Sequence, residues 1–246
     1  MVMARAELEA LLRTRKLDVT LTSSAAWPPA DDDRVAATGW PDLDDPLGGG
    51  MRRGHLSEIV GERSAGCTTL WLAMAAAATA RGEVVAFIDT HDRFDPMSAE
   101  AAGVDLSRLL WVRESGQADR AGRAVKAMNL VLQAGGFGLV AFDLSDVRGP
   151  VLRQFPHTTW MRIARIVEGS LTVAVLIGAE HIARSPGGAT IALERGSARA
   201  SAEWAGNNAR NRRLQGLTIR PRVISMRSMG TMGAAARGTR LRTTAG

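Results

Sequence analysis

The chain has 246 residues, of which 46% are hydrophobic and 23% are charged, with a formal net charge of +6. This composition excludes a wholly disordered, collagen-like or coiled-coil protein, and a chain of this length can bury a core without disulfides. A single cysteine, Cys67, excludes a disulfide framework, and the four histidines lack metal-ligand spacing, so we expect no metal. The first residues lack a signal-peptide core and no apolar run could span a membrane, so we expect a cytoplasmic protein without membrane contact.

Residues 1–20 predict an amphipathic helix, because Leu8, Leu11 and Leu12 fall on one face of a helical repeat. Residues 21–37 contain two prolines and consecutive aspartates, which is typical of an acidic linker. A helix this short is marginal alone, so we expect it to dock on the core or on a neighbouring subunit.

From residue 38 to residue 177, short apolar strands alternate with helices. Such strands are typical of a parallel sheet that helices cover on both faces. The predicted strands are 56–60, 83–88, 109–112, 138–142 and 171–177, and the predicted helices are 68–80, 118–133 and 159–167.

The pattern changes after residue 189. TIALERG predicts a short helix, and residues 197–205 and 214–226 predict an antiparallel hairpin at the sheet edge. The expected fold class is therefore α/β, with a mostly parallel central sheet and an antiparallel edge. The core spans residues 38–226, and residues 227–246 are expected to form a flexible tail.

The segment GERSAGCT, from Gly61 to Thr68, fits the phosphate-loop pattern G-x-x-x-x-G-K-[ST] except that Cys67 replaces the lysine. Backbone N–H groups can still cradle a phosphate, but loss of the point charge costs about 1.5–3 kcal/mol in binding. Arg63 would have to turn inward to replace that charge. We favour the alternative that the fold keeps this strand–turn–helix for its glycine turn. The candidate contacts, regarded as vestigial, are Gly61, Glu62, Arg63, Ser64, Ala65, Gly66, Cys67, Thr68 and Thr69.

Cys67 also raises the question of thiol chemistry. A thiol at a helix N-terminus is expected to have a lowered pKa. A buried lone cysteine is more often a small apolar side chain, and no second cysteine is present to resolve an oxidised form. We therefore discount a redox function.

Around this loop, the stretch TGWPDLDDPLGGGMRRGHLSEIVGERSAGCTTL at 38–70 and VVAFIDTHDRFDP at 84–96 resemble the RecA recombinase family. The resemblance covers about residues 35–225 and implies a RecA-like core. It implies that Asp95 matches an adenine contact and Asp143 a magnesium-organising aspartate, whereas His91 replaces the catalytic glutamate. The chain lacks both the phosphate-loop lysine and the catalytic glutamate of that family. The resemblance therefore implies no catalytic residue, no resident cofactor and at most weak binding of ATP and magnesium.

In RecA proteins, two loops after the magnesium-organising strand and after the next strand line the filament axis and bind DNA. Here residues 144–158 replace the first loop, and the second loop, between Ile177 and Gly188, is expected to be short. Arg148, Arg153 and Arg184 are candidate phosphate contacts, with solvated loop charge as the alternative that we favour.

The C-terminal segment from Arg195 to Gly246 contains eleven arginines and one acidic residue, Glu203. Such asymmetry is typical of proteins that bind nucleic acid or an acidic partner. The candidate contacts are Arg210, Arg212, Arg213, Arg220, Arg222, Arg227, Arg237, Arg240 and Arg242.

Shortened RecA-like chains with an arginine-rich tail resemble the ImuA family, accessory proteins of a bacterial SOS mutasome. The resemblance implies a non-catalytic role in translesion synthesis and DNA-damage mutagenesis, in the cytoplasm or at the nucleoid. The implied partners are RecA, an ImuB-type inactive Y-family polymerase and, indirectly, a mutagenic DnaE-type polymerase, with DNA as a further candidate. Two alternatives remain open: a DNA-stimulated ATPase of the RecA paralogue type, and a sequence-independent DNA-binding module.

Overall fold

A computed structural model describes residues 34–114, 119–183, 188–195, 202–205, 213–226 and 239–242. Side chains are described within this set for residues 34–114, 119–183, 188–193 and 221–224. The predicted N-terminal helix with Leu8, Leu11 and Leu12 lies outside the described residues, as does most of the predicted linker.

Helices and strands alternate through most of the described chain. The strands are β1 (Val35–Ala36), β2 (Met51–Arg52), β3 (His55–Gly61), β4 (Val84–Asp89), β5 (Leu109–Arg113), β6 (Phe137–Asp143), β7 (Val173–Gly178), β8 (Ala189–Arg195), β9 (Ala202–Ala205), β10 (Arg213–Met226) and β11 (Thr239–Arg242). The helices are α1 (Pro41–Asp44), α2 (Cys67–Ala80), α3 (Pro96–Ala101), α4 (Arg120–Ala134), α5 (Gly149–Gln154) and α6 (His157–Val167), with 3-10 turns at Asp45–Leu47 and Leu106–Arg108. In the described part of the chain, no helix combines the length and apolarity needed to cross a membrane.

The central sheet contains six mutually parallel strands in the order β8-β3-β7-β6-β4-β5. This arrangement confirms the predicted α/β class with a mostly parallel sheet. The predicted strands and helices between residues 56 and 177 agree with the observed ones to within two residues at each end. The prediction succeeds because most of these strands are apolar along their length. β7, for example, is buried at all of its residues.

The helix predicted at TIALERG is wrong over residues 190–195, because these residues belong to strand β8. β8 pairs in parallel with β3 and antiparallel with β10. Ile191 is fully buried and Leu193 is almost fully buried in the core. Burial of Ala189, Thr190, Ile191 and Leu193 and pairing on both edges outweigh the helix propensity of Ala, Leu, Glu and Arg.

Beyond β8 the sheet continues as an antiparallel extension that consists of β9, β10 and β11. Pairing of β9 with β10 confirms the predicted antiparallel hairpin. The prediction of a flexible tail over 227–246 is wrong at Thr239–Arg242, which form β11 beside β10. The linker predicted over 21–37 is wrong at its end, since Val35–Ala36 pair with β2.

Two apolar clusters form the core, each built on a different set of helices. One contains α2 residues such as Leu70 and Trp71 with Ile59 of β3. The other contains Met128 of α4 and Ile163 of α6 with further strand residues. Because the parallel strands share one direction, the segments after β3, β4, β6 and β7 meet at the carboxyl ends of the strands. Folds of this kind bind ligands there.

Candidate functional site

The phosphate loop connects β3 to α2 through a tight turn. Gly66 precedes the helix with φ of 103°, and Ser64 also has a positive φ, of 63°. A Cβ atom at Gly61 would lie 2.9 Å from the Sγ of Cys67 and 3.1 Å from the carbonyl oxygen of Leu193. The glycines are therefore required by backbone conformation and close packing, whether or not a phosphate binds.

Cys67 occupies the lysine position as a buried side chain. Its Sγ lies 3.9 Å from the carbonyl oxygen of Gly61. Burial, together with the nearby charge of Asp143, raises the pKa of the thiol from its ordinary value of 9.0 to about 11. The expectation of a lowered pKa is therefore wrong, because desolvation outweighs the helix N-terminus. The thiol is neutral and supplies no charge to the loop.

The two arginines at the mouth of the loop both contact Asp146, in the segment after β6. The Nη2 of Arg63 lies 2.7 Å from one carboxylate oxygen, and the Nε of Arg93 lies 3.5 Å from the other. The side chain of Arg63 is 75% exposed. The guanidinium that was the candidate replacement for the lysine is thus engaged by a carboxylate.

A small cavity of about 130 Å³ lies beside the start of α2. It brings together three residues that the sequence singled out separately, namely Thr68, Asp95 and Asp143. Its volume is below the roughly 300–1,000 Å³ that is usual for small-molecule sites. The wall consists of Thr68, Trp71, Leu72, Phe87, Arg93, Phe94, Asp95, Ser98, Asp143 and Ile177.

Aromatic side chains account for the limited space. The rings of Trp71 and Phe87 stack with centroids 4.6 Å apart, and Phe94 lies 5.3 Å from Phe87. Trp111 extends this row at 5.2 Å from Phe94. The row links α2 to edge strand β5, and its first three rings form the inner wall of a cavity whose outer wall includes the exposed residues Thr68, Arg93 and Asp95.

Asp143 ends β6 at the position that the resemblance assigns to magnesium. Its carboxylate accepts a hydrogen bond from the backbone N–H of Ser145 at 2.9 Å, and its carbonyl oxygen accepts one from the hydroxyl of Thr90 at 2.6 Å. Burial raises the pKa of Asp143, and the charges of Asp89 and Asp146 act in the same direction. A hydroxyl from Thr68 and a carboxylate in one cavity fit a magnesium ion chemically, but a raised pKa weakens the carboxylate as a ligand.

Asp89 was missed as a site residue, although it ends a buried strand and precedes three polar residues. It is fully buried, and its carboxylate accepts hydrogen bonds from the backbone N–H groups of His91, Arg93 and Phe94 at 2.8–3.2 Å. The indole N–H of Trp111 also donates to it, at 3.2 Å. Asp89 therefore holds the turn that carries Arg93 and Phe94 to the cavity.

His91 and Asp95 lie on this turn in different settings. His91 is half-buried and does not belong to the described residues that line the cavity. Asp95 caps α3, since it accepts hydrogen bonds from the N–H groups of Met97 and Ser98. The hydroxyl of Ser98 also donates to Asp95 and lowers its pKa. Helix capping accounts for Asp95 without a nucleotide.

A larger pocket of about 390 Å³ lies between α5, α6 and the segment after β7, at the position of the expected DNA-binding loops. Arg153 lies 3.8 Å from Glu180 in its wall. Arg148 is exposed at the start of α5, whereas Arg184 lies outside the described residues. The pocket is lined by Gly149, Leu152, Arg153, Phe155, His157, Trp160, Glu180, His181 and Ile182.

Glu58 fixes one wall of this pocket and was also missed from the sequence, where it stands beside Ser57 in an otherwise apolar strand. Its side chain is 2% exposed. One oxygen accepts the N–H groups of Ile182 and Ala183 at 2.9 and 2.6 Å, and the other lies 3.1 Å from Nδ1 of His181. The buried carboxylate thereby joins β3 to the segment after β7. Among the described residues, no group of three or more His, Cys, Asp or Glu side chains could hold a metal ion.

The C-terminal arginines fall into two groups. Arg213, Arg220 and Arg222 belong to β10, and Arg240 and Arg242 belong to β11. The remaining candidates lie outside the described residues, namely Arg210, Arg212, Arg227 and Arg237.

The parallel sheet and the phosphate-loop turn define an α/β domain with a phosphate-loop position, and comparison with known proteins shows that part of it is similar to RecA. Residues 30–150 match the family described as the RecA N-terminal domain. The chain is 40% identical over 113 residues to Protein RecA of Deinococcus radiodurans, which is 46% of this chain and 30% of that protein. It is 39% identical over 110 residues to Protein RecA of Methylococcus capsulatus, covering 44% of this chain and 30% of that protein. The aligned part thus spans just under a third of the length of these relatives.

Proposed function

We propose that this chain is a RecA-like accessory protein that does not turn over ATP and acts by binding RecA and mutasome polymerase partners during translesion synthesis. The observation that carries the proposal is Cys67, a buried neutral thiol at the position of the phosphate-loop lysine. The ImuA resemblance supports the choice of partners: RecA, an ImuB-type polymerase homologue and, through it, a DnaE-type polymerase. These partners would place the chain in the cytoplasm, near the nucleoid.

The geometry disfavours hydrolysis more strongly than binding. Phosphoryl transfer needs positive charge around the transferred group and a residue that orients the attacking water. Arg63 and Arg93 are engaged by Asp146, and His91 is not among the described residues that line the cavity. Backbone N–H groups of the loop remain, so weak phosphate binding without turnover is compatible with this arrangement.

The sheet edge at β5 supports a role in binding a protein partner. β5 is the last strand of the described sheet on that side. Leu110 within it is 43% exposed. An edge strand with an exposed apolar side chain can pair with a strand of another chain.

The catalytic part of the proposal is tested by calorimetry with magnesium and ATP, beside ATP turnover with and without single-stranded DNA. We expect no turnover above background, whereas cognate RecA assayed in parallel turns over ATP. Turnover that is abolished by Thr68→Ala would contradict the proposal and establish an active ATPase.

The partner part is tested by capture of purified cognate RecA on the immobilised full chain. Leu110→Glu should reduce capture about tenfold, the factor that corresponds to 1.4 kcal/mol. Leu130→Glu, at a 67% exposed position on α4, is the matched control and should leave capture unchanged. Equal capture by both variants and the unaltered chain would rule out β5 as the docking edge, and no capture at all would remove RecA as the partner.

A second candidate function, a DNA-stimulated ATPase of the RecA paralogue type, is favoured by the convergence of Thr68 and Asp143 on one cavity. It predicts that single-stranded DNA increases turnover and that Asp143→Asn abolishes it. Absence of turnover in the presence of DNA would leave the accessory role as the better account.

A further inference from the structure

The larger pocket, between α5, α6 and the segment after β7, has the dimensions of a small-ligand site. Its volume of about 390 Å³ lies at the lower end of the roughly 300–1,000 Å³ that is usual for such sites. The described residues that line it include none from the phosphate loop. The identity of its ligand therefore has to be inferred from its own side chains.

One part of the pocket wall is apolar. Trp160 of α6 and Leu152 of α5 line it and are buried. The ring of Phe155 lies edge-on to that of Trp160, with centroids 5.9 Å apart, and Ile182 adds a half-buried aliphatic side chain. Aromatic and aliphatic side chains packed in this way favour a ligand with a large apolar group.

Another part of the wall carries two opposite charges side by side. Nη1 of Arg153 and Oε1 of Glu180 are 3.8 Å apart, and both side chains are more than half exposed. This distance exceeds that of a hydrogen bond, so the pair contributes little to stability and can exchange partners. A Cβ atom at Gly149 would lie 2.6 Å from the same oxygen and 3.0 Å from the same nitrogen. The two charges thus lie together over the start of α5.

The segment that carries Glu180 is fixed by a contact with the buried Glu58. That carboxylate accepts the N–H of Ile182 at 2.9 Å and lies 3.1 Å from Nδ1 of His181. Both residues follow Glu180 directly in the chain. Because this wall is held in place by β3, a ligand loses little binding free energy to ordering it.

We propose that the larger pocket binds a free α-amino acid with a large apolar side chain. The side chain lies on the apolar wall, the carboxylate contacts Arg153 and the ammonium group contacts Glu180. Backbone geometry separates the ammonium nitrogen and the carboxylate carbon of an amino acid by about 2.5 Å, so one molecule can reach both charges. The proposal goes beyond the accessory function and depends neither on RecA binding nor on the phosphate loop.

The adjacent opposite charges disfavour other classes of ligand. A phosphodiester or an acidic peptide would bring negative charge against Glu180, and a purely cationic ligand would bring positive charge against Arg153. The terminal residue of a protein chain carries only one of the two backbone charges. A free amino acid matches both charges and also supplies the apolar group.

The proposal is tested by NMR chemical-shift titration of the isotope-labelled full chain with L-phenylalanine and three related probes. N-acetyl-L-phenylalanine keeps only the carboxylate, as in the C-terminal residue of a protein. L-phenylalaninamide keeps only the ammonium group, as in the N-terminal residue. Glycine keeps both charges but lacks the apolar side chain. Each of these three probes should bind at least about tenfold more weakly than L-phenylalanine, because each lacks one of its contacts.

Two substitutions separate the two charges. Arg153→Gln should weaken binding of L-phenylalanine about tenfold through loss of a charge-assisted contact, but should not weaken L-phenylalaninamide. Glu180→Gln should weaken L-phenylalanine by a similar factor, but should not weaken N-acetyl-L-phenylalanine. Both side chains are exposed, so both variants should keep the Tm of the unaltered chain.

Arg162→Gln is the matched control for these two variants. Arg162 is an exposed arginine of α6 and is not among the described residues that line the pocket. Its replacement should leave the affinity for all four probes unchanged. An equal loss of L-phenylalanine binding in Arg162→Gln and Arg153→Gln would overturn the proposal.

Further outcomes would also overturn it. L-phenylalanine could show no saturable binding, or could bind equally well to Arg153→Gln, Glu180→Gln and the unaltered chain. Equal affinity for L-phenylalanine and either single-charge probe would assign the pocket to a terminal residue of a protein partner instead. Equal affinity for glycine would remove the apolar wall from recognition. Each result leaves the accessory function untouched, because its tests measure ATP turnover and RecA capture.

Discussion

The cavity beside the phosphate loop and the larger pocket both lie at the carboxyl ends of the parallel strands, but different kinds of side chain line them. The first, of about 130 Å³, keeps the glycines and Thr68 of a phosphate loop yet is walled by Trp71, Phe87 and Phe94. The second, of about 390 Å³, corresponds to no sequence motif and is lined by two histidines and the Arg153–Glu180 ion pair. The difference shows that a motif specifies backbone geometry, whereas volume and charge depend on side chains from other elements.

The largest expected effect concerns Glu58, which holds the wall of the larger pocket. Glu58→Ala leaves two buried backbone N–H groups without an acceptor, so the free energy of unfolding should fall by about 3 kcal/mol. Glu58→Gln should cost under about 1 kcal/mol, because its oxygen can still accept those N–H groups while Nδ1 of His181 accepts from the new amide. Urea denaturation measures both.

Glu62→Ala provides the control for Glu58, since Glu62 is exposed in the phosphate loop. It should change stability by no more than about 0.5 kcal/mol. Equal losses for Glu58→Ala and Glu58→Gln would show that the charge itself, rather than the acceptor, stabilises the wall.

The next effect concerns the alkylation rate of Cys67. This rate distinguishes a buried thiol from an accessible one at the phosphate loop. A pKa of about 11 instead of 9.0 reduces the thiolate fraction at pH 8 about 100-fold. Alkylation by iodoacetamide should therefore be at least about 100-fold slower in the native chain than in urea. Because Cys67 is the sole cysteine, the rate reports on it directly. Similar native and unfolded rates would contradict the buried position.

A smaller effect is expected from Asp146, which engages both arginines at the mouth of the loop. Asp146→Asn should raise the affinity for inorganic pyrophosphate up to about tenfold, because Arg63 and Arg93 then gain access to the anion. Calorimetry measures this change. Asp92→Asn is the matched control, since Asp92 pairs with Arg113 instead. An unchanged affinity would mean that the loop cannot recruit these arginines.

The smallest effect concerns Asp143 and the pH dependence of stability. Burial raises the pKa of its carboxyl, so the ionised form is disfavoured in the folded state. Stability from this group is therefore greatest below the ordinary pKa of 3.8 and is lost as pH rises through the folded-state pKa. Asp143→Asn should raise Tm at pH 7 by about 2–4 °C, equivalent to roughly 1 kcal/mol.

This advantage of Asp143→Asn should shrink as the pH is lowered, because the carboxyl of the unaltered chain then becomes protonated. Scanning calorimetry at several pH values measures it. A stabilisation that does not vary with pH would show that the carboxylate is not destabilised by its surroundings.

Regular elements were predictable where one local signal dominated. Continuous apolar runs placed β3, β4, β6 and β7 within two residues, and the turn of the phosphate loop was predictable from Gly66, whose φ of 103° favours glycine. TIALERG was mispredicted because its own residues favour a helix, whereas pairing with β3 and β10 makes it a strand. Asp89 and Glu58 were overlooked because their partners are backbone N–H groups that only the folded chain brings near.

The amino-acid sequence by itself determined the α/β class, the strand–turn–helix of the phosphate loop and the absence of its lysine, since these depend on residue identity and local periodicity. Only the tertiary structure decided that Cys67 is buried, that Asp146 engages Arg63 and Arg93, and that Arg153 and Glu180 lie together in the wall of the larger pocket. The physical reason is that burial, ion pairing and register depend on residues distant in sequence. Such residues become neighbours only when the sheet is assembled.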